Sequence, residues 1–134
     1  ELRFRGCFNE SFSRVKLPDG LRKLCIDGEE FNQSMEDVAL PHDLRELKLL
    51  SAKFDKSLEM VALPKGLTEL KLGRKYKQPL HKVAFPRNLQ LFVVGMQFDG
   101  LDTLTLGLLP ILIECNLYFR LSMSEFLSAR PQNF

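Results

Sequence analysis

Cysteine and histidine are scarce in this chain of 134 residues, which holds three of one and two of the other. Cys7, Cys25 and Cys115 form no C-x-x-C or C-x-C pair, so neither a zinc site nor a disulfide framework is expected. They fit a reducing compartment. His42 and His81 fall in equivalent stretches but not at ligand spacing, and no Ser or Cys lies in a nucleophile motif. Glu36, Asp37 and Glu59 flank apolar positions and read as solvent-facing charge, not as a paired acid and base. No enzymatic activity and no cofactor are expected. Net charge is also small: +2 does not by itself imply a polyanion partner, because such affinity needs many contacts to phosphate. Any basic function must be local. Long apolar runs are missing as well. A membrane span needs about 20 apolar residues, and the nearly uncharged stretch 108–119 is interrupted by Pro110, Glu114 and Asn116. No segment has the character of a signal or transit peptide. Residues 1–5 already read as repeat material, so an N-terminal segment is expected to precede them, and the compartment stays open.

What the chain does contain is a repeat. Leu17-Pro18, Leu40-Pro41, Leu63-Pro64 and Phe85-Pro86 recur after 23, 23 and 22 residues, too short for helix hairpins and right for a leucine-rich solenoid. After each LP comes an alternation at Leu24/Ile26, Leu47/Leu49, Leu70/Leu72 and Phe92/Val94, the period-two signature of a strand with one buried face. Leu2/Phe4 and Leu104/Leu106 read as the same position at either end. The expectation is a β-rich repeat solenoid with a parallel sheet of about six short strands. Each proline suits a turn entering a strand, because its φ is fixed and it has no N–H to donate. Gly20, Asp43, Gly66 and Asn88, two residues on, tolerate tight-turn or left-handed backbone. Behind the sheet, Phe8, Phe31, Phe54, Tyr76 and Phe98 should stack as an aromatic column. Phe12, Met35, Leu58 and Leu80 join it, as do Val15, Val38, Val61 and Val83. Their spacing leaves this back face either irregular or short-helical.

The units Phe8-Asn9-Glu10-Ser11-Phe12, Phe31-Asn32-Gln33-Ser34-Met35, Phe54-Asp55-Lys56-Ser57-Leu58 and Tyr76-Lys77-Gln78-Pro79-Leu80, each followed by LP or FP, resemble FNIP repeats over roughly residues 1–98. That family is itself similar to leucine-rich repeats. The resemblance implies arrays that serve as interaction surfaces, without activity of their own, and it names no partner. Asp55 and Lys77 replace the motif Asn, and Phe85 the Leu of LP, so an Asn ladder along the coil is expected to be incomplete.

With the buried strand positions assigned, the outward ones form columns: Glu1, Lys23, Glu46, Glu69, Leu91, Thr103; Arg3, Cys25, Lys48, Lys71, Val93, Thr105; Arg5, Asp27, Leu50, Gly73, Gly95, Gly107. Solenoids commonly bind through such a face. The charged part, Lys23, Glu46, Lys48, Glu69 and Lys71, could be a solvated face with cross-strand ion pairs worth tenths of a kcal/mol each. Leu50, Leu91 and Val93 are the candidate contact, because exposed apolar clusters mark interfaces. A second candidate is the basic patch Arg74, Lys75, Lys77 and Lys82, near Lys71 and His81. Its one aromatic, Tyr76, belongs to the core column and offers no stacking platform, which argues against a nucleic-acid partner.

The repeat fails after Phe98. Partial coils are read at 1–16 and 99–107, with the solenoid extending over 1–121. The stretch 108–119 is expected to cap it or dock on a partner. Ser122-x-x-Glu125 resembles a capping box, so 122–134 is expected to hold a short C-terminal cap helix and tail. The function expected is a non-catalytic protein-interaction module or scaffold. The alternative is an accessory structural subunit of a large multiprotein complex, in an organellar membrane for instance, with membrane association only through that complex.

Overall fold

The computed structural model describes residues 1–80, 82–94 and 112–115, the last four as backbone. Six strands occur in sequence order: β1 (Leu2–Gly6), β2 (Lys23–Gly28), β3 (Glu46–Leu49), β4 (Glu69–Leu72), β5 (Leu91–Val94) and β6 (Leu112–Cys115). They form one sheet in the order β1-β2-β3-β4-β5-β6. Every pairing is parallel, so each strand lies beside the equivalent strand of the next coil. The chain is a β-solenoid.

The register follows the repeat. Leu24 pairs with Leu47, Leu47 with Leu70, and Leu70 with Phe92. Their side chains are buried at 1% exposure or less and form inner rows with Ile26, Leu49, Leu72 and Val94. The alternation read from sequence is therefore the division between core and surface. One strand departs from expectation. The neighbour of β5 is Leu112–Cys115, with Leu91 paired to Leu112, and not the Leu104/Leu106 segment. Thr103 follows Leu91 by only 12 residues, about half a coil, whereas Leu112 follows by 21 and completes a circuit. Residues 104 and 106, like Phe98, His81 and the expected cap helix and tail at 122–134, lie outside the described residues.

Behind the strands the described chain is irregular, with no helix. Tight turns replace it. The N–H of Leu21, Leu44, Leu67 and Leu89 donates to the carbonyl of Pro18, Pro41, Pro64 and Pro86, and that of Val15, Val38, Val61 and Val83 to the carbonyl of Phe12, Met35, Leu58 and Leu80. Each L-P-x-x-L is thus a four-residue turn with proline first and Gly, Asp or Asn third. The only positive φ among the described residues is at Gly6, 67°. The third turn position therefore keeps a negative φ, which is why Asp43 and Asn88 serve there as well as Gly20 and Gly66 do. A third turn closes the strand end, from the Ser51 carbonyl to the Phe54 N–H and from the Gly73 carbonyl to the Tyr76 N–H.

The aromatic column forms as expected. Phe8, Phe31, Phe54 and Tyr76 stack in succession with ring centroids 5.9 Å apart and interplanar angles of 12 to 16°. Phe31, Phe54 and Tyr76 are fully buried, as are Met35 and Leu58 beside them. Val15 is the exception to its column at 48% exposure, whereas Val38 and Val61 are at 4%. It lies in the first coil, with no described coil stacked on its outer side.

A second ladder ties the coils together. The Asn9 Oδ1 accepts from the Asn32 N–H at 2.9 Å, the Asn32 Oδ1 from the Asp55 N–H at 3.1 Å, and the Asp55 Oδ1 from the Lys77 N–H at 3.0 Å. The expected break at Asp55 does not occur, because the ladder needs only a side-chain oxygen one atom beyond Cγ and a carboxylate has one. It ends at Lys77, whose ammonium cannot accept.

Candidate interaction surface

The outward columns of the sheet are built by the same register that buries Leu and Ile. Lys23 pairs with Glu46, and Cys25 with Lys48. Glu46 pairs with Glu69, and Lys48 with Lys71. Opposite charges thus face each other between β2 and β3, whereas between β3 and β4 like charges stack within each column and opposite charges lie diagonally. The side chains resolve the conflict by reaching across. Lys23 meets Glu46 at 3.3 Å, Lys48 bridges Glu46 at 3.6 Å and Glu69 at 3.8 Å, and Lys71 meets Glu69 at 4.0 Å. The result is a zigzag of five charges over three strands. Its members are partly exposed, so each pair contributes only tenths of a kcal/mol. Arg3 and Asp27 make a similar bridge at 3.3 Å.

The zigzag stops at β5, where Leu91 follows Glu69 and Val93 follows Lys71 in register. Both are half-buried, with part of each side chain open on the outer face. Leu50 is also half-buried but sits just past the end of β3, separated from Leu91 and Val93 by β4. The expected apolar group is therefore one pair with a separate outlier. Cys25 differs from expectation: it holds an outward register position yet is only 3% exposed, and it is not part of the core cluster. A short side chain with Arg3 and Lys48 on either side of it in register is covered by its neighbours.

The basic residues are distributed around the fourth coil. Arg74 and Lys75 are the middle residues of the turn from Gly73 to Tyr76, Lys77 ends the side-chain ladder, and Lys82 lies in the turn from Leu80 to Val83. All four are exposed. Tyr76 between them is buried, and its phenol is pushed above its ordinary value by that burial and by the negative charge of Asp55, partly offset by a backbone hydrogen bond at Leu58. Its ring stacks on Phe54 and faces away from any external ligand.

One feature escaped the sequence reading. A cleft of about 580 Å³ straddles the third and fourth coils at their L-P corners, lined by Leu63, Lys65, Ala84, Phe85, Pro86, Arg87 and Asn88. Lys65 and Arg87 are both second residues of an L-P-x-x-L turn, and the Asn88 amide donates to the Lys65 carbonyl at 3.1 Å, tying the two turns together. The signal lay in the turn column, which runs Asp19, His42, Lys65, Arg87.

Among the described residues no helix is long and apolar enough to cross a membrane, and no group of three metal-ligating side chains occurs. Compared with known protein families, residues 54–91 match the FNIP repeat. The matched span runs from the third aromatic of the column to the first residue of β5. No match was found among curated proteins.

Proposed function

We propose that this chain is a non-catalytic protein-interaction module whose recognition surface is the outer sheet face at β4 and β5. The observation that carries the reading is the change of character across that face. From β2 to β4 the outward charges satisfy one another in the zigzag from Lys23 to Lys71. On β5 the same columns hold Leu91 and Val93, half-exposed and beside Glu69 and Lys71. An apolar pair bordered by charges on the fifth strand of a six-stranded repeat sheet matches the arrangement that interfaces use, with an apolar centre and a polar rim.

The alternative, an accessory subunit held permanently in a multiprotein complex, is favoured by the apolar sequence 108–113. One experiment separates these. The full-length protein is purified from its own cells under mild detergent, as wild type and with Leu91→Ser and Val93→Thr, and co-purifying proteins are quantified. Salt-sensitive partners lost in the variant support the module at this face. A fixed set of subunits at equal stoichiometry, indifferent to the variant, supports the permanent subunit and moves the interface elsewhere. Recovery of no partner under either condition refutes both.

A further inference from the structure

The fourth coil is electrostatically unlike the rest of the chain. Between Glu69 and Asp99 the sequence has no acidic residue, while Lys71, Arg74, Lys75, Lys77, Lys82 and Arg87 fall in the same stretch. Three lysines of the preceding coils have acidic partners: Lys23 and Lys48 in the zigzag, and Lys53 with Glu30 at 2.6 Å. Lys65 and Arg87 form no ion pair with any described residue. They flank a cleft whose other walls are Leu63, Ala84, Phe85 and Pro86, and Phe85 packs its inner side against the core. The lining is rigid where it matters. Both cations sit on proline-led turns closed by hydrogen bonds of 3.1 and 3.2 Å, and the Asn88 amide bolts one turn to the other.

We infer that this corner cleft is a second docking site, separate from the sheet face, for an acidic linear peptide segment of a partner protein. Such a segment would place an Asp or Glu side chain against Lys65 and Arg87 and an aromatic or Leu side chain against Phe85 and Pro86. Charge complementarity selects the acidic partner. The small number of cations selects a peptide over a nucleic acid, since polynucleotide affinity is built from many cation–phosphate contacts and this cleft offers two cations among apolar walls. Along the turn column from Asp19 through His42 to Lys65 and Arg87, only the third and fourth coils among the described residues carry a Lys or Arg at this corner position. The first coil repels an anion there.

The test is selection of a random dodecapeptide display library on the intact chain, followed by fluorescence-anisotropy titration of enriched peptides labelled with fluorescein. Enriched sequences should combine two or more acidic residues with an adjacent aromatic or Leu. Removing either cation should weaken binding about tenfold, so Lys65→Glu/Arg87→Glu should reduce affinity by about two orders of magnitude or more. Leu91→Ser/Val93→Thr should leave it unchanged, which separates this site from the sheet face. Both cations are exposed, so the far-ultraviolet circular dichroism of the double variant should match the wild type. The milder Lys65→Ser/Arg87→Ser, expected to fall by about tenfold to a hundredfold, repeats the test if it does not. Enrichment without acidic bias, or binding insensitive to both double variants, overturns the proposal. So does an oligothymidylate of comparable length that binds more tightly than any peptide and is lost with Lys65→Glu/Arg87→Glu.

Discussion

The aromatic column makes a quantitative prediction, because the same residue type occupies it in different surroundings. Phe54 is fully buried and stacks on both sides, against Phe31 and Tyr76, each with centroids 5.9 Å away. Phe8 begins the column, half-buried, with one stacked partner in it and tilted contacts to Phe4 and Phe12. Truncating a buried Phe to Ala costs about 3–5 kcal/mol through lost transfer energy and the cavity left behind. The rigid sheet and turns on either side of Phe54 leave little room to collapse, so Phe54→Ala should fall in the upper part of that range. Phe8→Ala should cost about 1–2 kcal/mol, since part of its surface is already in water and solvent can enter the space left behind. Phe54→Leu restores most of the volume but removes two ring pairs, worth about 0.5–1.5 kcal/mol each, and should fall between the other two. Against a total stability on the order of 10 kcal/mol, these differences are measurable by urea unfolding followed by circular dichroism. A reduced urea slope in Phe54→Ala would show the solenoid parting at its middle, as a chain of nearest-neighbour units does. The reasoning is refuted if Phe8→Ala costs as much as Phe54→Ala, or if Phe54→Ala costs under about 2 kcal/mol.

Three further outcomes are expected. A methyl group at position 73 would sit 2.7 Å from the Ser51 carbonyl oxygen and 3.1 Å from that of Leu50, both backbone atoms, so Gly73→Ala should destabilise by about 1–3 kcal/mol. Gly20→Ala meets nothing within 4 Å and should be neutral or stabilising by up to about 1 kcal/mol, with urea midpoints deciding both. Asp55→Asn keeps the oxygen that accepts the Lys77 N–H and should change stability by under about 0.5 kcal/mol, whereas Asp55→Leu strands that donor at a cost of about 1–2 kcal/mol. The raised Tyr76 phenol sets an alkaline limit. Because its folded value lies above the unfolded one near 10, its contribution is whole below pH 10 and declines above it by up to about 1.4 kcal/mol per pH unit. Lys53, also raised, by its hydrogen bond to Glu30, loses its stabilising effect in the same direction as pH climbs past 10.5. Tyr76→Phe should flatten the stability curve above pH 10 without abolishing its fall, and an unchanged slope would refute the assignment.

The core was legible because its constraints act at fixed sequence spacing. Leu24, Leu47 and Leu70 must recur where strands stack, and Phe31, Phe54 and Tyr76 where rings stack. The back face was not legible, since Met35-to-Val38 and Leu58-to-Val61 spacings suit a helical turn and an isolated β-turn equally well. The hydrogen bonds from Val38 to Met35 and from Val61 to Leu58, with no bond of helical spacing following them, settle it as turns. The sixth strand was misplaced because L-x-x-L-x-L around Leu104 imitates the strand motif, and local pattern does not count how many residues a circuit requires. Cys25 was misjudged because alternation tells which face a side chain takes but not whether longer neighbours cover it.

The candidate surfaces follow the opposite rule. Where the inner columns repeat, the outer columns vary, and the variation is ordered along the solenoid axis. The strand column Lys23, Glu46, Glu69, Leu91 loses its charge at β5. The turn column Asp19, His42, Lys65, Arg87 changes sign between its first and third members. No demand of folding orders either series, since all these positions are partly or fully exposed and tolerate any polar residue. The turn keeps its Pro and Leu, which the coil needs, and varies the exposed residue after the proline. Sequence shows these columns one residue at a time; the parallel register, by setting equivalent residues of successive coils side by side, turns them into an apolar step on the sheet and a cationic corner.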